Sequence, residues 1–278
     1  NRLIGLWWHG RLNSNDREIQ ASLDRLRRDH SRFDRMQVTC SIGRETLLEI
    51  GVPEENILLL PMGVDLSRFQ HTVTPTERTQ IRDHFGVPPK ALVIGCFQKD
   101  GEGWEDGMKP KLIKGPDILA DVLESLSQNH RIFVVIPGPA RGYLKQRLNK
   151  AKVPYAAPGL IPDRELRKLY STLDIYISPS RDEGGPAGAL ESMASGVPLV
   201  STRTGMPVDM IENGKNGFLV DVEDVDGLVN CTTELINNPS FRRRLADNAL
   251  ETIQRYDWPI LSKRYVSELY DPMTNGYS

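Results

Sequence analysis

Apolar residues fall along this chain in short runs separated by amphipathic stretches, a spacing that predicts strands and helices in alternation. Leu3-Ile4-Gly5-Leu6-Trp7-Trp8 reads as a buried strand ending at His9-Gly10. From 16 to 30 the spacing of Ile19, Leu23 and Leu26 is helical, with a strongly charged outer face. Residues 36–40 are strand-like, 44–50 read as a helix that Gly51 stops, and 56–60 read as another apolar strand. The opening is therefore β-α-β-α-β, a parallel α/β unit with too few strands to close a sheet covered on both faces. Thr72 to Thr76, polar and containing a proline, reads as a linker, and 77–85 as a helix ending at Gly86. Strands are then predicted at 91–97, 131–136, 155–156, 174–178, 199–202 and 217–220. Between them helices are predicted near 115–127, 142–150, 162–173, 186–194 and 207–213. That alternation is the doubly wound pattern, whose ligands sit beyond the carboxyl ends of the strands. Two charged amphipathic helices, 224–237 and 240–256, would flank the sheet; Trp258-Pro259 breaks the path before a last helix at 260–270.

Composition narrows the class. The 278 residues suffice for one large or two medium domains, and 39% hydrophobic with 26% charged residues describes an ordinary globular chain. Thirty-five Lys and Arg against 37 Asp and Glu give a net charge of −2, so no broad electrostatic footprint for nucleic acid is present. No run approaches the ~18 apolar residues of a spanning helix, and no charged-then-apolar leader opens the sequence. Cys40, Cys96 and Cys231 are scattered through apolar runs, which suits reduced thiols and a cytoplasmic location. Asn230-Cys231-Thr232 matches a glycosylation sequon by chance, inside a helical pattern.

The candidate chemistry centres on Glu183-Gly184-Gly185-Pro186-Ala187-Gly188-Ala189-Leu190-Glu191, between a predicted strand and a helix that Gly196 and Pro198 stop. Pro186 suits the first helical position, where its missing N–H has no intrahelical partner in any case. The N–H groups of Ala187, Gly188 and Ala189 would then be unpaired at a positively polarised helix end, a ready site for phosphate. Gly188 inside a helix costs about 1 kcal/mol relative to Ala, which close approach of a ligand would explain. Glu191 lies about five residues into the helix, roughly 7–8 Å along the axis, so one carboxylate flanks each side of a bound phosphate. The functional reading is a sugar nucleotide diphosphate with Glu183 at the sugar and Glu191 at the ribose. The plain alternative is a glycine-rich turn with two solvated glutamates.

Two glutamates separated by seven residues, within Ser178-Pro179-Ser180 … Glu183 … Leu190-Glu191-Ser192-Met193-Ala194-Ser195-Gly196-Val197-Pro198-Leu199-Val200, resemble the signature of family 4 retaining glycosyltransferases of GT-B fold. The resemblance runs from His9 to Tyr270. It implies an α/β fold: a GT-B-type, Rossmann-like, doubly wound parallel sheet in a C-terminal domain, with an incomplete N-terminal α/β domain. The division it implies is 1–68 (acceptor side), 69–256 (nucleotide-sugar binding) and 257–278 (a helix returning to the first domain). The family's first domain has further βα units and a glycine-rich loop before the strand ending in His9, so a truncated chain is expected. Its uncovered apolar sheet surface predicts self-association or poor solubility.

Carried onto this sequence, the resemblance implies that Lys114, before Gly115-Pro116-Asp117, contacts the leaving diphosphate, where an ammonium stabilises growing negative charge. Its alternative, a solvated lysine at a helix start, runs against the macrodipole. A family arginine after the glycine ending the preceding strand is missing, because Cys96 follows Gly95. The long stretch 98–111 is either a lid supplying Lys99 or Lys111 in its place or a solvated loop. His9 would approach the transferred sugar or acceptor, with Arg44 facing the same cleft; otherwise His9 is a satisfied buried residue. Gly138-Pro139 is a turn near the nucleotide, and Gly159-Leu160-Ile161-Pro162 resembles the segment whose backbone holds the base. Gly185, Pro186 and Met62 depart from the family's usual aromatic, glycine and asparagine. The expected catalytic set is Glu183, Lys114 and His9. The expected donor-binding set is Gly95, Lys99, Gly138, Ile161, Gly184, Gly185, Ala187, Gly188, Ala189, Leu190 and Glu191.

No metal or other cofactor is expected: Asp224-Val225-Asp226 has metal-binding spacing but sits at a helix start, where Asp caps free N–H groups. No G-x-G-x-x-G follows a strand, against a dinucleotide oxidoreductase. The partners implied are a nucleotide-sugar donor, by default UDP-linked, and a carbohydrate or other hydroxyl acceptor, with peripheral membrane contact left open. Two alternatives stand beside transfer: a nucleotide-sugar-binding module without activity, and an epimerase on the same fold.

Overall fold

Two parallel sheets organise the chain in a computed structural model that describes residues 2–69 and 73–274. Thr72, the first residue of the expected linker, and 275–278, the end of the expected last segment, lie outside the described residues. The smaller sheet holds β1 (Ile4–Trp7), β2 (Arg35–Val38) and β3 (Ile57–Leu59) in the order β1-β2-β3. The larger sheet holds β4 (Leu92–Gly95), β5 (Ile132–Val135), β6 (Tyr155–Ala156), β7 (Ile175–Ser178), β8 (Leu199–Thr202) and β9 (Phe218–Val220). Its order is β6-β5-β4-β7-β8-β9, all parallel, the doubly wound arrangement in which strand order reverses between β4 and β7.

Both faces of the larger sheet are buried, which is why its strands read as continuous apolar runs. Ile94, Val134, Ile175, Ile177 and Val200 pack on one face against Leu119, Leu123, Leu144 and Leu148. Val93, Val135, Tyr176 and Leu199 pack on the other with Leu169, Leu190 and Met193, and Val64, Leu66 and Phe69 join that cluster from the opening unit. The smaller sheet buries Met36 and Val38 against Leu23, Leu26 and Leu47, while Leu3, Leu6 and Trp8 stay exposed along its β1 edge.

Local chemistry sets the helix starts. Asp16 accepts from the N–H groups of Glu18 and Ile19 and begins Arg17–Asp29. Thr74 and Glu77 form a reciprocal capping box with Pro75 in the first turn, so that helix begins at Pro75 rather than 77. The helix expected at 44–50 begins at Ser41, directly after β2. The expected break falls at Asp257, whose extended backbone (ψ 135°) separates Gln254–Tyr256 from the last helical segment; proline occupies the first turn of Trp258–Arg264, which continues through a π-helical stretch, Tyr265–Tyr270. This last segment returns to the smaller sheet, where the Tyr265 hydroxyl donates to the Leu60 carbonyl at 3.1 Å. The Trp258 ring covers Gly63 so closely that a Cβ there would lie 2.7 Å from it.

Candidate functional site

A cleft of about 310 Å³ opens beyond the carboxyl ends of β4 and β7, at the point where strand order reverses. Phe97, Gln98 and Lys99 reach it from β4, Ser178 and Glu183 from β7, Lys111 and Lys114 from the stretch before the helix Pro116–Asn129. Gly185 and Pro186, with Ala187 to Ala189 and Glu191 of the helix Ala187–Ala194 that follows, close it.

Lys114 and Glu183 meet in this cleft. Gly115 turns the chain at φ +65°, and a Cβ there would lie 2.2 Å from the Pro179 carbonyl oxygen. Only glycine permits both the left-handed turn and that approach, which draws Lys114 against the loop after β7. Lys114 Nζ lies 2.6 Å from Glu183 Oε1. The Ser180 hydroxyl sits 2.9 Å from the same oxygen and 3.2 Å from Gln98 Oε1, and the Gln98 amide donates to the Lys114 carbonyl. Arg181 adds a two-pronged pair with Asp117, both contacts 2.8 Å, stitching the loop to the helix that Lys114 precedes. Glu183 is only 7% exposed, so a buried carboxylate is fixed by one cation and one hydroxyl.

The helix end differs from the sequence expectation in two respects. Pro186 is the cap, with extended backbone (ψ 103°), not the first helical residue. Its carbonyl accepts from Ala189 N–H at 2.9 Å and Leu190 N–H at 3.4 Å, so the expected unpaired amide of Ala189 is satisfied. Ala187 and Gly188 retain N–H groups with no partner among the described residues, and Ala187 is exposed. Gly188 is also required for another reason than a ligand: a Cβ there would lie 2.1 Å from the Tyr176 hydroxyl. That hydroxyl accepts from Phe97 N–H at 2.9 Å and forms part of the cleft floor.

Glu191 receives a hydrogen bond of 2.7 Å from the Tyr170 hydroxyl. Burial pushes its carboxyl above the ordinary carboxylate range; the Tyr170 bond opposes this and Asp163 adds to it. Burial likewise holds the Tyr170 hydroxyl well above its usual value, so it stays a donor.

The other expected residues fall into two groups. Lys99, Gly185, Ala187, Gly188, Ala189 and Glu191 line the cleft with Lys114 and Glu183. Gly95, Gly138, Ile161, Gly184, Leu190 and His9 do not line it. Leu190 is 1% exposed, turned into the core, and Gly95 is packed under Leu173, which would stand 2.4 Å from a Cβ. Gly138 donates to the Gly159 carbonyl at 2.7 Å, bringing the two turns side by side, with Ile161 packed on the core. His9 is exposed just after β1, on a loop that touches the Asp182–Gly184 turn. Arg44 does not line the cleft; it pairs with Glu54. Asp224 caps its helix by accepting from Gly227 N–H at 2.8 Å.

The stretch 98–111 is a folded hairpin. Asp100 and Arg141 form a 2.7 Å ion pair, and Arg141 also donates to the carbonyls of Cys96 and Pro137. Burial pushes the Asp100 carboxyl up against the opposing pull of Arg141, and pushes the Cys96 thiol up to about 12. Gly101 pairs with Pro110, and Gly107 fits only without a side chain, since a Cβ would lie 2.3 Å from Ala140. From this base Lys99 Nζ rests 4.1 Å from the centre of the Trp104 ring. Ser180, Gln98, Tyr170, Tyr176 and the Asp100–Arg141 pair were not singled out from the sequence. Each meets a partner distant in the chain, as Tyr170 meets Glu191 21 residues on.

The family model described as "Glycosyl transferases group 1" matches residues 110–252, just over half of the chain. Sulfoquinovosyl transferase SQD2 of Arabidopsis thaliana is 27% identical over 235 residues, covering 84% of this chain and 43% of that protein. A GDP-mannose-dependent alpha-mannosyltransferase of Corynebacterium glutamicum is 28% identical over 251 residues, covering 90% of this chain and 56% of that protein. The chain spans about half the length of the curated relatives it matches. Among solved structures, Anabaena Alr3699/HepE in complex with UDP-glucose superimposes with a TM-score of 0.82 at 19% identity, over 97% of this chain and 72% of that one. Sucrose-phosphate synthase from Thermosynechococcus elongatus gives 0.78 at 17% identity, over 97% and 67%. These likenesses give the fold as GT-B.

Proposed function

The chain belongs to the glycosyl transferases group 1 family, and from that premise we propose that it transfers a sugar, with retention, from a nucleotide-diphosphate donor to a hydroxyl acceptor, as family 4 enzymes do. The observation that carries this reading is the cleft at the strand-order reversal. It gathers Lys114, Glu183, Glu191 and the two free amides of Ala187 and Gly188. The diphosphate lies between Lys114 and those amides, Glu183 holds the sugar, and Glu191 takes the ribose hydroxyls. The bond from the anomeric carbon to the phosphate oxygen breaks with its electron pair leaving on the nucleoside diphosphate. The acceptor oxygen bonds to the same face, and its proton passes to a leaving phosphate oxygen. Lys114 and the amides meet the charge that grows there, so no step is routed through a metal. His9 serves the transferred sugar or the acceptor. Residues 1–68 form the acceptor side, 69–256 bind the donor, and 257–278 return to the first part. The UDP-glucose bound by HepE supports uridine as the default base.

Proton NMR of product formed from a UDP-sugar and a hydroxyl acceptor tests this. The reading requires the donor's anomeric configuration in the product; the opposite configuration, or an altered sugar nucleotide with no acceptor, overturns it.

Glu191→Ala is expected to weaken nucleotide binding roughly 10–100-fold, the loss of charge-assisted bonds to two hydroxyls. The sign of the pH dependence follows. Ribose hydroxyls bind the carboxylate form, and burial raises the carboxyl in the free protein, so affinity rises with pH through a midpoint above that of an ordinary glutamate. Calorimetric titration of UDP across pH checks both; a flat wild-type profile with an unweakened variant removes Glu191 from the site.

Lys99→Ala and Lys111→Ala test the second cation. If either lysine serves the diphosphate, at least one variant loses donor affinity about tenfold. Unchanged affinity in both leaves the hairpin without that role.

A further inference from the structure

The residues on either side of Glu183 are bonded to the residues on either side of His9. Asp182 Oδ1 accepts from Gly10 N–H at 3.1 Å, and Oδ2 accepts from Arg11 N–H at 3.0 Å. On the other flank, Gly184 lies against the Trp8 carbonyl so closely that a Cβ would stand 1.1 Å from its oxygen. The Trp8–Gly10 backbone thus runs along the Asp182–Gly184 backbone, with His9 between the two residues that make the contacts. Resting on the glycosyl-transfer reading above, we infer that Asp182 is a positioning residue whose carboxylate clamps the backbone of Gly10 and Arg11 and so presents His9 beside Glu183.

The chemistry of Asp182 fits that task. It is 3% exposed, and among the described residues no Lys, Arg or His side chain pairs with it. Its charge is met by the two backbone N–H groups, each a charge-assisted bond. Arg181, its neighbour in sequence, is committed to Asp117, and Arg11 turns its guanidinium away to the Arg203 carbonyl at 2.9 Å. The receiving turn is itself built for the contact. Gly10 has φ +115°, and a Cβ there would lie 2.8 Å from the Trp7 ring and 2.9 Å from Ile19, so the turn that brings the amides of 10 and 11 to Asp182 requires glycine at residue 10. Thr39 adds a 3.4 Å contact to the Trp8 carbonyl, and Met206 N–H holds the Gly184 carbonyl at 2.7 Å. A clamp one residue from Glu183 ties the end of β1 to the cleft of the larger sheet. A shift of about 1 Å in such a group is enough to cost roughly 10²-fold in rate.

The test uses the full chain with Asp182→Ala, Asp182→Asn and the double variant Asp182→Ala/His9→Ala. Amide hydrogen exchange at Gly10 and Arg11 reads the clamp without any substrate. It is expected to speed about tenfold or more in Asp182→Ala and less in Asp182→Asn, which keeps one carbonyl oxygen. Turnover is expected to fall about 10–100-fold in Asp182→Ala with the donor KM within about twofold, because the donor site lies in the larger sheet. Adding His9→Ala should cost nothing further, since one group acts through the other. Unchanged exchange, or losses from Asp182 and His9 that simply multiply, would overturn the assignment. If Asp182→Ala fails to fold, Asp182→Asn decides on the same readouts. A folded wild-type chain that neither binds nor consumes any sugar nucleotide overturns the transfer reading and the role of Asp182 with it, an outcome visible before any variant is made.

Discussion

Glu183→Gln is expected to lower turnover roughly 10²–10³-fold while nucleotide affinity stays within about threefold. Glutamine keeps the shape of the side chain and can still accept from Ser180, which now lies 2.9 Å from the carboxylate. What it loses, on the proposed reading, is the negative charge facing the sugar as positive character grows at the anomeric carbon. Lys114, now 2.6 Å from Glu183, keeps its own charge and is freed to serve the diphosphate, which is why binding should not suffer. Alanine in place of Glu183 is a poorer probe, because it leaves a half-buried ammonium without its partner. Steady-state kinetics beside a nucleotide titration separate the outcomes. Equal losses in turnover and affinity, or none in either, would remove Glu183 from the sugar.

Gly184→Ala is expected to cost about 3 kcal/mol of stability, the upper end for forcing a methyl into filled space. The added Cβ would fall 1.1 Å from the Trp8 carbonyl oxygen and 2.3 Å from its carbon, inside the van der Waals envelope of a backbone group. That group cannot step aside cheaply, because Gly10 and Arg11 just beyond it are bonded to Asp182. The end of β1 must therefore separate from the turn carrying Glu183. Chemical unfolding with a donor titration on the same sample checks this. Lower stability with donor binding retained places the damage at the seam; undiminished stability would mean that the two backbones are not in contact.

Much of the architecture was legible because local and global signals agree. β8 runs over the expected 199–202, because Gly196 and Pro198 end the preceding helix and a short, fully buried run follows at once. Helix ends were less legible. The box formed by Thr74 and Glu77 carries a sequence signature that places the start at Pro75, whereas Pro186 obeys the usual preference for a first position and yet serves as the cap. The stretch 183–191 was visible from spacing, but the reason for Gly188 was not, because the Tyr176 hydroxyl beneath it belongs to another element. Nor does any local pattern reveal that Lys114 meets a carboxylate 69 residues away, or that Asp100 and Arg141 bury an ion pair under the hairpin. Those contacts arise only when the crossovers bring the ends of β4, β5 and β7 together.

The central claim is that a diphosphate sits between Lys114 and the free amides at the start of the helix Ala187–Ala194. Calorimetric titration of UDP into the wild-type chain and into Lys114→Ala tests it most directly. The account predicts saturable one-to-one binding to the wild type, weakened at least about tenfold in the folded variant, as loss of a charged contact requires. Equal binding to both chains, or a folded wild type that binds none of UDP, GDP or ADP, would contradict it.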